Sequence, residues 1–347
     1  MGIKPKFIVV LVLFAIIIIA GVVVLSFYNK ILKVNVDTGG QEAVDFFIPT
    51  GSAYKDVVHL LNEQSIIMDT SSFNWVAQKK NYPNHVYPGR YHISRKMNNN
   101  ELVNLLRSGS QEPVSLTFNN IRTLEKLASV VAGQIEADSM QLIKYLTDPE
   151  YLKEKGFSVE SIRGIFIPNT YEMYWNTNPD QFIDRMIQEY DRFWNENRKK
   201  MAAASGLDQM EIITLASIVD EEALMPDEER RIAGVYINRL NRGMRLQADP
   251  TVKFAAGDMT MTRVLNIHLE IDSPYNTYKF AGLPPGPITI PSISAIDAVL
   301  DYEHHDYIYF CAKDDFSGYH NFAKTLVQHN KNARSYQNAL NRRKILN

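Results

Sequence analysis

Residues Leu215–Thr251 read LASIVDEEALMPDEERRIAGVYINRLNRGMRLQADPT, and this stretch decides how the second half of the chain is organised. It continues a helix whose apolar residues recur at the three- and four-residue spacing of a buried helical face: Ile212, Leu215, Ile218 and Val219. At about 100° per residue, Glu222 returns to the direction of that apolar face. Asp220 and Glu221 point toward the flank and the solvent, so three consecutive acids are expected to have different surroundings.

The position of Glu222 suggests a chemical role. A carboxyl group held against apolar side chains resists ionisation, and one that is still protonated near neutral pH can act as a general acid. The alternative is that Glu222 merely ends the helix and extends into water, as acids near helix ends often do. Helical geometry therefore singles out Glu222 as a candidate without deciding between the two interpretations.

Downstream of this helix the chain has the character of a cleft wall. Pro226 and three following acids predict the first turn of a second helix, which runs to Leu240. Polar side chains without helical periodicity follow: Arg242, Arg245, Gln247, Asp249 and Thr251. Residues 273–292, SPYNTYKFAGLPPGPITIPS, then carry five prolines, which fix a rigid extended path. The alternative for this segment is an ordinary surface connection, although its length favours a functional placement.

Composition restricts the class of protein. Among 347 residues, 37 are Lys or Arg and 39 are Asp or Glu, so no basic excess favours a nucleic-acid partner. Cys311 is the sole cysteine, which excludes an intramolecular disulfide, and its strand-like surroundings predict a small buried apolar residue. The spacing of His304, His305, His320 and His329 is not typical of a metal site, and none is predicted.

The uncharged run from Phe7 to Phe27, FIVVLVLFAIIIIAGVVVLSF, predicts a membrane anchor. It is long enough to cross a bilayer as a helix, longer than the apolar core of a cleavable signal, and followed by no small-residue cleavage pattern. We expect a cytoplasmic tail over residues 1–6, a single-pass anchor over 7–28 in the cell (inner) membrane, and an extracytoplasmic remainder. Lysines on both sides leave the orientation weakly marked.

The remaining pattern predicts an α+β protein with two parts beyond the anchor. After a polar spacer over residues 29–42, a strand, two helices, a strand and a helix form a small module over 43–112. Residues 113–345 are expected to form a mixed α+β domain that begins with the strand Pro113–Phe118. Within it, residues 164–175 are aromatic and non-periodic, typical either of a packed corner or of a groove for flat ligands. Residues 179–201 predict one long amphipathic helix.

Three motifs together resemble one enzyme family. The run LASIVDEEA…AGVYINRLNRGMRLQADPTV, the run SPYNTY…GLPPGPI and the terminal YIYF…HNFAKTLVQHN are similar to those of the endolytic murein transglycosylases, the YceG-like family. The resemblance covers the whole chain in order: the anchor, a LysM-like module over 43–112 and a catalytic domain over 113–345. The family's catalytic acid is the second glutamate of an Ile-Ile/Val-Glu-x-Glu-Thr stretch, which corresponds here to Glu222. Asp220 and Ala223 depart from that stretch.

The resemblance implies a membrane-anchored lytic transglycosylase that needs neither metal nor cofactor. Its substrate would be nascent peptidoglycan strands, cleaved internally between N-acetylmuramic acid and N-acetylglucosamine with formation of anhydromuramic ends. A cell-wall synthase complex is a candidate partner. The candidate residues for sugar contacts and for orienting Glu222 are Gln247, Asp249, Thr251, Tyr275, Asn276 and Thr277. Two alternatives remain open: a hydrolytic muramidase in which Asp249 activates water, and a non-catalytic scaffold that binds peptidoglycan.

Overall fold

The structure, a computed structural model, describes residues 5–343. Residues 1–4 of the predicted N-terminal tail and residues 344–345 of the predicted catalytic domain lie outside the described residues. Within 5–343 the helices are α1 Pro5–Ile31, α2 Tyr54–Glu63, α3 Thr70–Lys79, α4 Asn99–Ser108, α5 Leu124–Ala132, α6 Ser139–Leu146, α7 Pro149–Glu154, α8 Pro179–Phe193, α9 Glu196–Ser205, α10 Gln209–Glu222, α11 Glu229–Asn241, α12 Asp249–Ala255, α13 Asn266–Leu269, α14 Ile293–Leu300 and α15 Leu326–Arg342.

Short strands pair two by two across the described chain. They are β1 Ala43–Ile48, β2 Gly89–Ser94, β3 Pro113–Phe118, β4 Asn169–Tyr174, β5 Tyr309–Ala312 and β6 His320–Ala323. β1 pairs with β2, β3 with β4 and β5 with β6. The first and last pairs are antiparallel, with Phe46 opposite Tyr91 and Phe310 opposite Phe322. The predicted mixed α+β class is confirmed.

Helix α1 is the apolar N-terminal segment. Its 27 residues extend about 40 Å, more than the roughly 30 Å thickness of a bilayer's hydrocarbon core. The apolar side chains from Phe7 to Phe27 are exposed, so no other part of residues 5–343 covers this helix along most of its length. By length and composition it is able to span a membrane.

The segment after α1 is not the free spacer that its polarity suggested. Val34 and Val36 form isolated β-bridges with Asn98 and Ile67, and Val36 is buried. The buried Asn35 amide donates to the Asn99 side chain at 2.7 Å. Short polar segments resemble linkers in sequence, but here a polar side chain is buried because its hydrogen bonds are satisfied within the protein.

The first of two compact units comprises the described chain to Ser115, with Gln134–Glu136 and Glu172–Thr177. Its core lies between the β1–β2 sheet and helices α2, α3 and α4, whose apolar faces are buried. Helix α4 ends at Gly109 in the left-handed region, φ +68°, which glycine adopts without a Cβ penalty. The element order agrees with the predicted strand–helix–helix–strand–helix pattern.

The second unit, which contains the rest of the described chain, is built around α10. Residues Ile212 to Val219 of this helix are all buried, on every side rather than on one face. The one-sided apolar face predicted from spacing is therefore incomplete, because Thr214 and Ser217 are buried as well. A helix that is buried all round is a central element, and α10 packs against α9, α11, α12 and α14.

Three local predictions for residues 113–345 are corrected. The long helix predicted over 179–201 is two helices, α8 and α9, because the Asn195 side chain accepts a hydrogen bond from the Arg198 backbone and caps a new helix. The non-periodic residues 164–175 include strand β4. The polar run after residue 242 includes α12, which starts at Asp249 with Pro250 at a position where proline favours helix initiation.

Candidate active site

Glu222 is the last residue of α10, and the two ends of this helix fix its position. At the start, Asp208 accepts from the Glu211 backbone while Glu211 accepts from the Asp208 backbone, a capping box that fixes the first turn. At the end, Ala223 has an extended backbone and stops the helix. The middle of α10 is buried, and its last residue, Glu222, is half-buried.

The Glu222 carboxyl group has one hydrogen-bond partner among the residues that the structure describes. The hydroxyl of Tyr236, on α11, donates to Oε1 of Glu222 at 3.0 Å. Tyr236 is only 1% exposed, and its ring packs edge-on against Phe310 at 5.8 Å between centroids. Because Tyr236 donates to Oε1, Oε2 is the oxygen open to carry the proton of a protonated Glu222.

Burial raises the pKa of Glu222 to about 7, and the nearby negative charge of Asp249 adds to the increase. The hydrogen bond from Tyr236 and the positive charge of Lys253 act in the opposite direction, because both favour the carboxylate. At neutral pH a large share of Glu222 therefore keeps its proton. This is the property that its helical position suggested, and a general acid requires it.

The two preceding acids have structural partners rather than free solvent. Asp220 accepts from the Ser292 hydroxyl at 2.6 Å and from its backbone N–H at 3.2 Å, at the start of α14. Glu221 pairs with Nε of Arg122 at 2.8 Å. The expectation that Asp220 and Glu221 both point into water is wrong. The expectation that their surroundings differ from those of Glu222 holds.

Asp249, the first residue of α12, lies near enough to Glu222 for its charge to act there, Gln247 lies two residues before it, and both are exposed. The Tyr278 hydroxyl donates to Oδ1 of Asp249 at 2.6 Å. Gln247 has a left-handed backbone, φ +52°, and its side-chain oxygen accepts from the Arg239 guanidinium at 3.3 Å. Both side chains are therefore accessible to a substrate.

Thr251, Asn276 and Thr277 are buried and bonded within the protein. The two threonine hydroxyls are 2.8 Å apart, and Thr277 also accepts from the Ala248 backbone at 3.0 Å. The Asn276 amide donates to the carbonyls of Leu269 and Ile271 at 2.9 and 2.8 Å. These contacts join the Tyr275–Tyr278 run to the start of α12. Sugar contacts by the three residues stay a prediction, and their present partners are protein groups.

The proline-rich segment 273–292 is fixed to the same unit at two points. The Ile288 backbone donates to the buried Ser217 hydroxyl of α10 at 3.0 Å. At Gly286 an added Cβ would lie 2.2 Å from the Glu160 carbonyl oxygen, so only glycine permits this approach of the two backbones. These two contacts attach the segment firmly to the unit, and its role as a cleft wall stays a prediction.

Three residues of this site were missed by sequence reasoning: Tyr236, Arg239 and Tyr278. Arg239 is 7% exposed and donates to the carbonyls of Ile308 and Leu246 at 2.7 and 2.8 Å, which brings the C-terminal hairpin and the chain before α12 together. The available signal was helical spacing, since Tyr236 and Arg239 are three residues apart and share a face of α11.

A metal centre is not indicated in the described part of the chain. Within residues 5–343, no three His, Cys, Asp or Glu side chains lie close enough together to hold an ion. Cys311 is half-buried rather than buried, and burial raises the pKa of its thiol.

The sequence profile of the YceG-like family matches residues 46–335. A curated relative, the endolytic murein transglycosylase of Bacillus subtilis (strain 168), is 31% identical over 332 residues, with 90% of each chain covered. The endolytic murein transglycosylase of Streptococcus pneumoniae serotype 2 (strain D39) is 29% identical over 335 residues, covering 88% of this chain and 60% of the relative. A crystal structure of a YceG-like protein from Listeria monocytogenes matches with a TM-score of 0.56 and 30% identity, covering 84% of this chain and 98% of that one.

Proposed function

The chain belongs to the YceG-like family, and from this membership we propose that it is an endolytic lytic transglycosylase of peptidoglycan, a lyase, in which Glu222 is the acid and base. One observation carries the assignment of the residue. Glu222 is a half-buried acid at the end of a buried helix, with a pKa of about 7 and one oxygen bonded to Tyr236. The substrate class comes from the named relatives.

The proposed reaction uses one carboxyl group twice. The proton on Oε2 of Glu222 passes to the glycosidic oxygen as the bond from muramic C1 to that oxygen breaks, which releases the N-acetylglucosamine 4-hydroxyl. The muramic 6-hydroxyl then bonds to C1, and its proton passes to the Glu222 carboxylate. A 1,6-anhydro ring closes, water is not consumed, and Glu222 is protonated again for the next turnover.

Neighbouring groups keep Glu222 suited to both steps. Tyr236 donates to Oε1 and stabilises the carboxylate after proton transfer. The positive charge of Lys253 also stabilises the carboxylate. Burial and Asp249 favour the protonated form before transfer. We assign Gln247, Asp249 and Tyr275 to substrate contact, and Thr251, Asn276 and Thr277 to holding the wall that positions it.

A second candidate function is supported by one observation. Asp249 is exposed and its charge acts on Glu222, so the site contains a carboxylate pair of the kind that hydrolytic glycosidases use. A muramidase would use Asp249 to activate water. The hydrogen bond from Tyr278 fixes the position of one Asp249 oxygen in either scheme.

The pH dependence of cleavage tests the assignment of Glu222. With the full chain in detergent micelles and uncrosslinked glycan strands, the cleavage rate should fall as pH rises through about 7, because the acid loses its proton. Tyr236→Phe removes a hydrogen bond to the carboxylate, raises the pKa of Glu222 and moves this decline to higher pH. Asp249→Asn removes a negative charge, lowers that pKa and moves the decline to lower pH.

If Glu222 had only a structural role, the two variants would not shift the pH of the decline in opposite directions. Declines that stay in place, or that move in the same direction, would contradict the role of Glu222. A wild-type chain that shortens no strand at any pH between about 5 and 9 would contradict the activity itself.

We also propose that residues 43–112 are a LysM-like glycan-binding module, that residues 113–345 are the catalytic domain, and that a cell-wall synthase complex is a partner. Helix α1 would act as a single-pass anchor with its N-terminus in the cytoplasm, so that the catalytic domain meets peptidoglycan outside the membrane. In cells, a periplasm- or surface-active reporter fused after Asn347 should be active, and the same fusion should stay in membranes after a carbonate wash. A reporter that is active only in the cytoplasm would reverse the orientation.

A further inference from the structure

Arg163 is a cation for which the described residues provide no paired anion. It lies half-buried in the 3₁₀ turn Ile162–Ile165, and its Nε is enclosed with no hydrogen-bond partner in that part of the chain. Among residues 5–343 neither a hydrogen bond nor an ion pair is found for this guanidinium. Burial lowers the pKa of Arg163, although a guanidinium stays charged at any physiological pH. Buried charges in proteins are as a rule paired, so this group is short of a partner.

Aromatic rings hold Arg163 in place without neutralising it. Its guanidinium carbon lies 5.1 Å from the centroid of the Phe254 ring, within cation–π range. Phe254 in turn contacts Tyr275 at 4.5 Å between centroids, with the planes inclined by 51°. Glu125 and Glu160 act on Arg163 only at longer range, since neither comes within ion-pair distance. The Nη edge is consequently available for a planar anion, which a guanidinium binds through two parallel hydrogen bonds.

The stack and the proposed catalytic site are carried by the same two segments of the chain. Lys253 of α12, whose charge acts on Glu222, directly precedes Phe254. Tyr278, which bonds to Asp249, follows Tyr275 by three residues. A substrate strand that extends beyond Glu222 is therefore the ligand to consider for the stack.

We propose that Arg163, Phe254 and Tyr275 form a subsite for a carboxylate borne on the lactyl branch of a muramic residue. The proposal rests on the proposed function. The N-acetylated sugar rings of a glycan strand are uncharged, so within the interior of a strand an anion comes from that branch. In strands with peptide stems the carboxylate belongs to the peptide, and in bare strands it is the lactyl carboxylate itself.

The test compares Arg163→Met with the wild type on three substrates, using the full chain in detergent. Methionine keeps an unbranched apolar chain over Phe254 while removing the charge. The substrates are stem-bearing strands, bare strands with free lactyl carboxylates, and bare strands whose carboxylates are converted to neutral methylamides. We expect KM to rise about tenfold or more on a charged substrate, with kcat little changed, and no change on the amidated strands.

The matched control is Arg198→Met. The guanidinium carbon of Arg198 also lies over an aromatic ring, 3.9 Å from the centroid of Phe193, but Arg198 already forms an ion pair with Asp297 at 3.0 Å. Its replacement should therefore leave KM unchanged on all three substrates. A KM rise on stem-bearing strands alone identifies the peptide carboxylate, and a rise on bare charged strands identifies the lactyl group. An equal loss on charged and amidated strands, or no loss on either charged strand, overturns the subsite. Failure of the wild type to cleave any strand overturns the proposed function instead.

Discussion

Glu222→Gln should lower the rate of strand cleavage by about a hundredfold to ten-thousandfold, the range expected when a general acid is removed. Glutamine retains the size of the side chain and an oxygen that accepts from Tyr236. It carries no transferable proton, so both proton transfers are lost while the packing is kept. Initial rates of strand shortening at pH 6, where wild-type Glu222 is mostly protonated, provide the measurement.

Two neighbouring substitutions are the controls. Glu221→Gln weakens an ion pair with Arg122 that lies partly in solvent, and such pairs contribute little, about 1 kcal/mol at most. Asp220→Asn retains an oxygen that accepts from Ser292 at the start of α14. Each should reduce the rate by no more than severalfold. A Glu222→Gln chain that turns over nearly normally, or a larger loss in either control, would show that another acid donates the proton.

Stability distinguishes lost chemistry from lost folding. The folded pKa of Glu222, about 7, lies above its ordinary value of 4.5, so folding favours the protonated form. The associated stability is fully present below about pH 4.5 and is lost as pH rises through 7. At pH 8 the wild type therefore bears the cost of a half-buried carboxylate, which glutamine avoids. The unfolding temperature of Glu222→Gln at pH 8 should equal or exceed that of the wild type.

Local periodicity explains how much of this site the sequence predicts. Glu222 was identified because one turn of helix relates it to Ile218 and two turns relate it to Leu215, and this relation holds whatever packs around the helix. Its partner Tyr236 is fourteen residues away on another helix. That contact depends on how α10 and α11 pack, which spacing within one helix does not determine.

Polar residues in non-periodic segments show where sequence patterns do not predict the site. Thr251, Asn276 and Thr277 have the composition of a ligand-binding surface, yet their side chains are buried and bonded to protein groups. The same residue types satisfy buried backbone groups in turns and caps. Sequence alone does not separate the two uses. Similarly, the cap at Asn195 is one residue inside an otherwise continuous helical pattern, so the break between α8 and α9 was not predicted.

The nature of the new sugar ends separates transglycosylation from hydrolysis, an all-or-none difference. If Glu222 works without a second carboxylate, the attacking group is the substrate's own 6-hydroxyl. Every new muramic end is then an anhydro sugar, lighter by one water than a hydrolytic end and not reducible by borohydride. With the full chain and uncrosslinked strands in heavy-oxygen water, we expect no label in the new ends and anhydro-capped fragments from strand interiors.

Asp249→Asn completes this test, because Asp249 is the residue that water activation would require. Labelled, reducible ends in the wild type would show that water attacks C1, and the loss in Asp249→Asn should then match that in Glu222→Gln. In the transglycosylase scheme Asp249 supplies charge and orientation but accepts no proton from a nucleophile. Its hydrogen bond from Tyr278 survives in part with asparagine, whose side-chain oxygen still accepts. We therefore expect Asp249→Asn to cost about tenfold, far less than Glu222→Gln, and its products to remain unlabelled and anhydro-capped.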